Sequence, residues 1–189
     1  MEATRLDEVL RRARRRDPQA LAALVDAFAP RVFGLLFRLT GSREVAEELL
    51  QETFLRVVRG IDKYEHAGRF EAWLFRVAAN LVRDHARRTR RRGTAVPLES
   101  GLDDDPLAAA APPEHSDPQE LLVRDEASEK LAACLDKLAA SDREILLLRH
   151  FSGLSFREIA DMLGIPLGTA LARAHRALGR LREMFGCEA

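Results

Sequence analysis

The chain has 189 residues, balances 30 Lys+Arg against 30 Asp+Glu, and is 47% hydrophobic but only 6% aromatic. That length holds one ordinary domain or two small ones, and the composition suits small helical units better than a large sheet. Two cysteines, Cys134 and Cys187, make neither a disulfide framework nor a short metal spacing, which favours a reducing cytoplasm. The basic start carries no signal-peptide core, and no run approaches the ~20 apolar residues of a bilayer span, so a soluble protein without membrane insertion is expected.

Neutrality conceals a partition. Residues 1–93 hold 20 Lys+Arg against 13 Asp+Glu, residues 94–130 hold 2 against 10, and residues 131–189 hold 8 against 7. A basic front, an acidic middle and a near-neutral back predict separate modules, the first suited to a polyanion.

Residues 1–16 read as an N-terminal extension. Asp17-Pro18 then opens a helix, an N-cap acceptor followed by a proline whose missing N–H costs nothing there. Leu21, Leu24, Val25 and Phe28 recur at helical spacing. Pro30 predicts a kink or restart, after which Val32, Phe33, Leu36 and Phe37 continue to Thr40-Gly41. Ser42 caps a second helix with Val45, Leu49, Phe54, Val57 and Val58 on its buried side and Glu44, Glu47, Glu48 and Glu52 on its acidic side. A third carries Phe70, Trp73, Leu74, Val77, Ala78, Leu81 and Val82 on one face. It ends in Arg87, Arg88, Arg90, Arg91 and Arg92 before Gly93. Those arginines suit phosphate, whose pairing gives salt-sensitive affinity; they equally suit a solvated tail, and Trp73 suits a core.

Periodicity vanishes in residues 94–119, an acidic Pro/Ala-rich stretch that reads as a flexible linker. Asp117-Pro118 opens a helix bearing Leu121, Leu122, Leu131, Cys134, Leu135 and Leu138. Ser141/Glu144 and Ser155/Glu158 read as two capping boxes. Gly164 suits a left-handed turn, and Thr169 lies at the start of the last helix. Ile159, Ala160 and Leu163 would pack against Ala170, Ala174, Ala177, Leu178 and Leu181, the spacing of a helix-turn-helix. The far face then holds Thr169, Ala172, Arg173, Arg176 and Arg180; a plain helical hairpin with a solvated arginine face has the same spacing. The fold class is all-α, two small helical domains joined by the linker. The five histidines are scattered, and no metal, cofactor or nucleophile–base constellation is visible, so no catalytic residue is expected.

Taken together, "AEELLQETFLRVVRGIDKY", "GRFEAWLFRVAANLVRDHARRTRR" and "LAASDREILLLRHFSGLSFREIADMLGIPLGTALARAHRALGRLR" resemble a sigma factor of bacterial RNA polymerase. The two-module size resembles the extracytoplasmic-function class. The resemblance implies a sigma region 2 domain at 17–93, a sigma region 4 helix-turn-helix domain at 120–185 and a tail at 186–189. It implies that Glu48, Leu49, Gln51, Glu52, Thr53, Phe54 and Leu55 bind the clamp coiled coil of the largest core RNA polymerase subunit. It implies that Arg76, Asn80, Arg83, Asp84, Arg87 and Arg88 serve −10 recognition and melting of promoter DNA. It implies that Arg149, Thr169, Leu171, Ala172, Arg173, His175 and Arg176 serve −35 recognition, with that domain against the flap of the second-largest subunit. An anti-sigma factor is implied by family habit. Where relatives often carry Val-Lys/Arg-Ser-Arg after Gly-Thr, this chain has Ala170, Leu171, Ala172 and Arg173, losing a cation and a hydroxyl. Two other readings stand beside this one. An autonomous helix-turn-helix regulator leaves residues 43–93 without a role, and a nucleic-acid enzyme lacks its catalytic cluster.

Overall fold

In the computed structural model, which describes residues 3–64, 69–91 and 130–186, every regular element among the described residues is a helix. The chain divides into two units, Met1–Glu99 and Ser100–Ala189.

The first unit begins with α1 (Ala3–Arg14), a helix where an extension was expected. Leu10 and Ala13 are buried against the next helix, so a short apolar stripe between arginines suffices to dock it. Asp17 caps α2 (Pro18–Thr40), accepting from the Gln19 N–H at 2.9 Å and the Ala20 N–H at 3.4 Å. The Arg12 guanidinium, donating to the same carboxylate at 2.8 Å, is the main reason its pKa is held below the usual value.

α2 runs as one helix through Pro30, so the expected restart does not occur. The carbonyl that Pro30 leaves without a helical donor belongs to exposed Asp26, on the solvent side of the helix. α2 also meets the length and apolarity of a membrane-crossing segment, contrary to expectation. Core helices pass the same test, and α2 buries Ala20, Leu24, Phe28, Val32, Leu35 and Leu36 in this unit.

Gly41, at φ 68, ends α2 by donating to the Phe37 carbonyl at 2.8 Å, a left-handed conformation that glycine adopts without a Cβ penalty. Ser42 caps α3 (Arg43–Gly60), its Oγ accepting from the Val45 N–H. α4 (Phe70–Arg91) completes the bundle, with Phe70, Leu74, Phe75, Ala78, Ala79 and Leu81 buried. Arg31 donates to Glu71 at 2.9 Å and lies over the Phe75 ring at 5.4 Å, linking α2 to α4.

The second unit contains α5 (helical over residues 130–136), α6 (Ala140–Ser152), α7 (Phe156–Leu163) and α8 (Leu167–Gly186). The expected helix start at 117–118 and the linker lie outside the described residues. The Ser141/Glu144 capping box does not form. The chain turns helical at Ala140, and the Ala139 carbonyl accepts from the Asp142 and Arg143 N–H groups, both at 2.9 Å, which leaves Ser141 inside the first turn. The Ser155/Glu158 box does form: Ser155 Oγ accepts from the Glu158 N–H, and Glu158 Oε2 accepts from the Ser155 N–H at 2.9 Å. Gly164, at φ 67, then ends α7, and the Ile165 N–H reaches back to the Ala160 carbonyl at 3.0 Å.

Candidate nucleic-acid interface

α7, its glycine turn and α8 form a helix-turn-helix. Ala170, Ala174 and Ala177 are buried, and their small side chains let α8 cross α6 and α7 closely. Helical phase then sends Leu171, Ala172, His175 and Arg176 outward, while Thr169 and Arg173 are half-buried at its edge. Leu171 is 45% exposed, a large cost-bearing side chain in water.

Two of the arginines expected to face DNA have partners in the protein. Arg149 donates through Nη1 to the Gly153 and Leu154 carbonyls, at 2.9 and 2.7 Å, and lies over Phe156. It braces the α6–α7 turn through Nη1 alone, and those two bonds do not use the Nε–H or the two Nη2–H groups of this exposed side chain. Arg176 pairs side-on with Asp142 of α6: Nε to Oδ2 at 3.3 Å and Nη2 to Oδ1 at 3.1 Å. Asp142 is 4% exposed. Nothing in the sequence marks it, since its partner lies 34 residues away.

In the first unit, α4 presents Arg76, Asn80, Arg83, Asp84, Arg87 and Arg88 along one side, opposite its buried stripe. The side chains are tied along the helix: Arg83 donates to Asn80 Oδ1 at 3.1 Å, Arg87 lies 3.7 Å from Asp84, and Arg88 donates to the Asp84 carbonyl. At the start of α4 stands an aromatic group. Tyr64 stacks on Trp73 with centroids 4.9 Å apart, and Phe70 meets Tyr64 edge-on at 5.9 Å. Burial raises the Tyr64 pKa. Trp73 is half-buried where a core position was expected. It packs beside Gly60, where a Cβ would stand 3.3 Å from its Cζ2 and the ring would have to give by a few tenths of an ångström.

On α3 the expected seven-residue surface divides. Leu49, Thr53 and Phe54 are buried, with Thr53 Oγ1 donating to the Leu49 carbonyl at 2.7 Å. They belong to the bundle core and are corrected from docking residues to packing residues. Glu48, Gln51 and Leu55 remain exposed with half-exposed Glu52, which pairs with Arg56 at 2.7 Å. Among the described residues, no three His, Cys, Asp or Glu side chains converge to hold a metal.

Two family models match the chain: sigma-70 region 2 over residues 24–92 and sigma-70 region 4 over residues 128–181. The RNA polymerase sigma factor CarQ of Myxococcus xanthus is 40% identical over 158 residues, covering 84% of each protein. The ECF RNA polymerase sigma factor SigE of Mycolicibacterium smegmatis is 37% identical over 161 residues, covering 85% of this chain and 59% of that one. Among solved structures, the sigma factor RpoE in complex with the anti-sigma factor NepR from Bartonella quintana matches at TM-score 0.62 and 24% identity, covering 89% of this chain and 98% of that one, a likeness of fold.

Proposed function

The chain belongs to the sigma-70 family as an extracytoplasmic-function RNA polymerase sigma factor, and from that premise we propose which of its surfaces perform promoter recognition. Its function is to direct RNA polymerase to promoters. The region 2 match accounts for the module that an autonomous regulator would leave unused.

The outer face of α3, made of Glu48, Gln51, Glu52 and Leu55, docks on the clamp coiled coil of core polymerase. The exposed side of α4 holds the −10 element, and the outer face of α8 reads the −35 element beside the flap. The first domain includes α1 and runs to residue 93, the linker spans 94–119, and the second domain spans 120–185. An anti-sigma factor is the regulatory partner, supported by the complex in which the RpoE relative was solved. The site of action is the cytoplasm, and the chain performs no chemical step of its own.

Opening DNA requires only that the opened strands be bound better than the duplex. Flipping a base from the stack costs a few kcal/mol. Arginines spaced along α4 pair with the backbone while the aromatic group at its start offers a stacking surface to an unpaired base.

The observation that carries this reading is α4 itself, with five cationic or amide side chains on the side facing away from the core. It is tested with Asn80→Ala and with Arg87→Gln/Arg88→Gln in reconstituted holoenzyme. Neutralising both arginines should reduce the salt dependence of promoter binding by about 1.5 units, at ~0.7–0.9 per phosphate. Asn80→Ala should reduce permanganate reactivity of −10 thymines. Assembly with core should be unchanged in both. Wild-type salt slope and reactivity would remove α4 from the −10 site.

A further inference from the structure

Asp142 is a charged side chain enclosed by the second unit, and it meets Arg176, whose guanidinium reaches back from the reading helix to α6. Its place in the first turn of α6 makes the burial tolerable, because the helix N-terminus favours a carboxylate. The contact is side-on: Nε–H and one Nη2–H of Arg176 are taken by the two carboxylate oxygens. A guanidinium carries five N–H groups in a rigid plane. Two on Nη1 and one on Nη2 therefore remain at the outer end of Arg176, whose side chain is 55% exposed. That outer fork has the geometry for a paired acceptor.

We propose that Asp142 is a positioning residue for −35 recognition. Its buried carboxylate holds Arg176 so that the outer Nη1/Nη2 fork meets paired acceptors on the −35 duplex, either guanine O6 and N7 or phosphate oxygens. The proposal rests on α8 being the −35 reading helix. It also bears on the residues that replace the usual cation and hydroxyl at 171 and 172. With Leu171 and Ala172 unable to donate, the fixed aim of one arginine supplies part of what additional donors would. An arginine already held in its bound rotamer loses less freedom on binding, an advantage of about three- to tenfold per immobilised side chain.

The test is equilibrium promoter binding by holoenzyme assembled from the full chain and core polymerase. Asp142→Asn should weaken binding to a promoter with an intact −35 element about three- to tenfold. Arg176→Ala should weaken it about tenfold or more, and Leu171→Ala less than Arg176→Ala. Arg176→Ala also leaves Asp142 as an unpaired buried charge and should lower the melting temperature. The double variant should regain that melting temperature and yet bind DNA no better and no worse than Arg176→Ala alone. This split separates positioning from support of the fold. If Asp142→Asn costs the same factor with and without Arg176, Asp142 acts on the fold and the proposal is overturned. If Arg176→Ala keeps wild-type dependence on the −35 element, the assignment of α8's reading face is overturned, and the proposal with it. Substituting 7-deazaguanine in the −35 element identifies the acceptor. A loss in wild type that Arg176→Ala does not show points to guanine. A salt slope about 0.9 lower in Arg176→Ala, with no deazaguanine effect, points to phosphate. Either result supports the positioning role.

Discussion

Leu55→Asp should weaken assembly with core RNA polymerase by about thirtyfold or more while the helical content stays unchanged. Leu55 is 44% exposed, midway along the outer face of α3 and flanked there by Gln51, Glu52 and Glu48. An apolar side chain ringed by polar ones is the usual arrangement of an interface centre, where single side chains carry about 2 kcal/mol or more. Aspartate there would have to be desolvated on docking. Leu49→Ala is the contrasting change. Leu49 is 2% exposed, so its truncation should lower stability by about 2–5 kcal/mol instead of altering the docking surface. Titration of labelled core with each variant, alongside thermal melts, distinguishes the two. Wild-type core affinity for Leu55→Asp would mean that α3 docks by another face or not at all.

Ala174→Leu should destabilise the second domain by about 1–3 kcal/mol and remove −35-dependent transcription. Ala174 is 3% exposed, between Ala170 and Ala177, both at 0%, where α8 crosses its two partner helices. Three added carbons have no space there, so α8 must shift away, and with it Asp142's hold on Arg176. Leu171→Ala, on the exposed face, should change stability by no more than about 0.5 kcal/mol. Melting of the full chain, with transcription from promoters bearing or lacking the −35 element, checks both. An unchanged melting temperature for Ala174→Leu would show that the alanines do not set the crossing.

The features legible in the sequence are those decided within a few residues. Asp17-Pro18, Ser42 and the Ser155/Glu158 box cap their helices because the acceptor and the N–H it serves lie within three positions. Gly164 is legible for the same reason. The small residues of α8 are also readable as packing once helical phase is applied to Ala170, Ala174 and Ala177. Ser141 shows the limit of the pattern. It has the right neighbour at the right spacing, but its helix begins earlier, and a serine inside the first turn no longer caps. α1 is not legible because its four arginines mask the two positions, Leu10 and Ala13, that dock it.

The candidate sites were less legible, for a physical reason. Resemblance assigned whole stretches of α3, whereas a helix can offer a partner only one side; Leu49, Thr53 and Phe54 point inward. Arg149 and Arg176 read as free cations because their partners are backbone carbonyls of a turn and a carboxylate on another helix. The Arg149 contacts are local but go to carbonyls, which every residue carries and no residue type marks, whereas the Arg176 contact depends on a tertiary crossing that residue spacing does not contain.

The central claim is that this chain gives core RNA polymerase its promoter choice. Core polymerase, alone and with the purified chain, should be given a library of random-sequence templates and its transcripts mapped. The predicted result is initiation only with the chain present, at a fixed distance downstream of two recurring elements, and lost when either element is scrambled. Tight sequence-specific DNA binding by the chain alone, with no new start sites when core is added, would contradict the account.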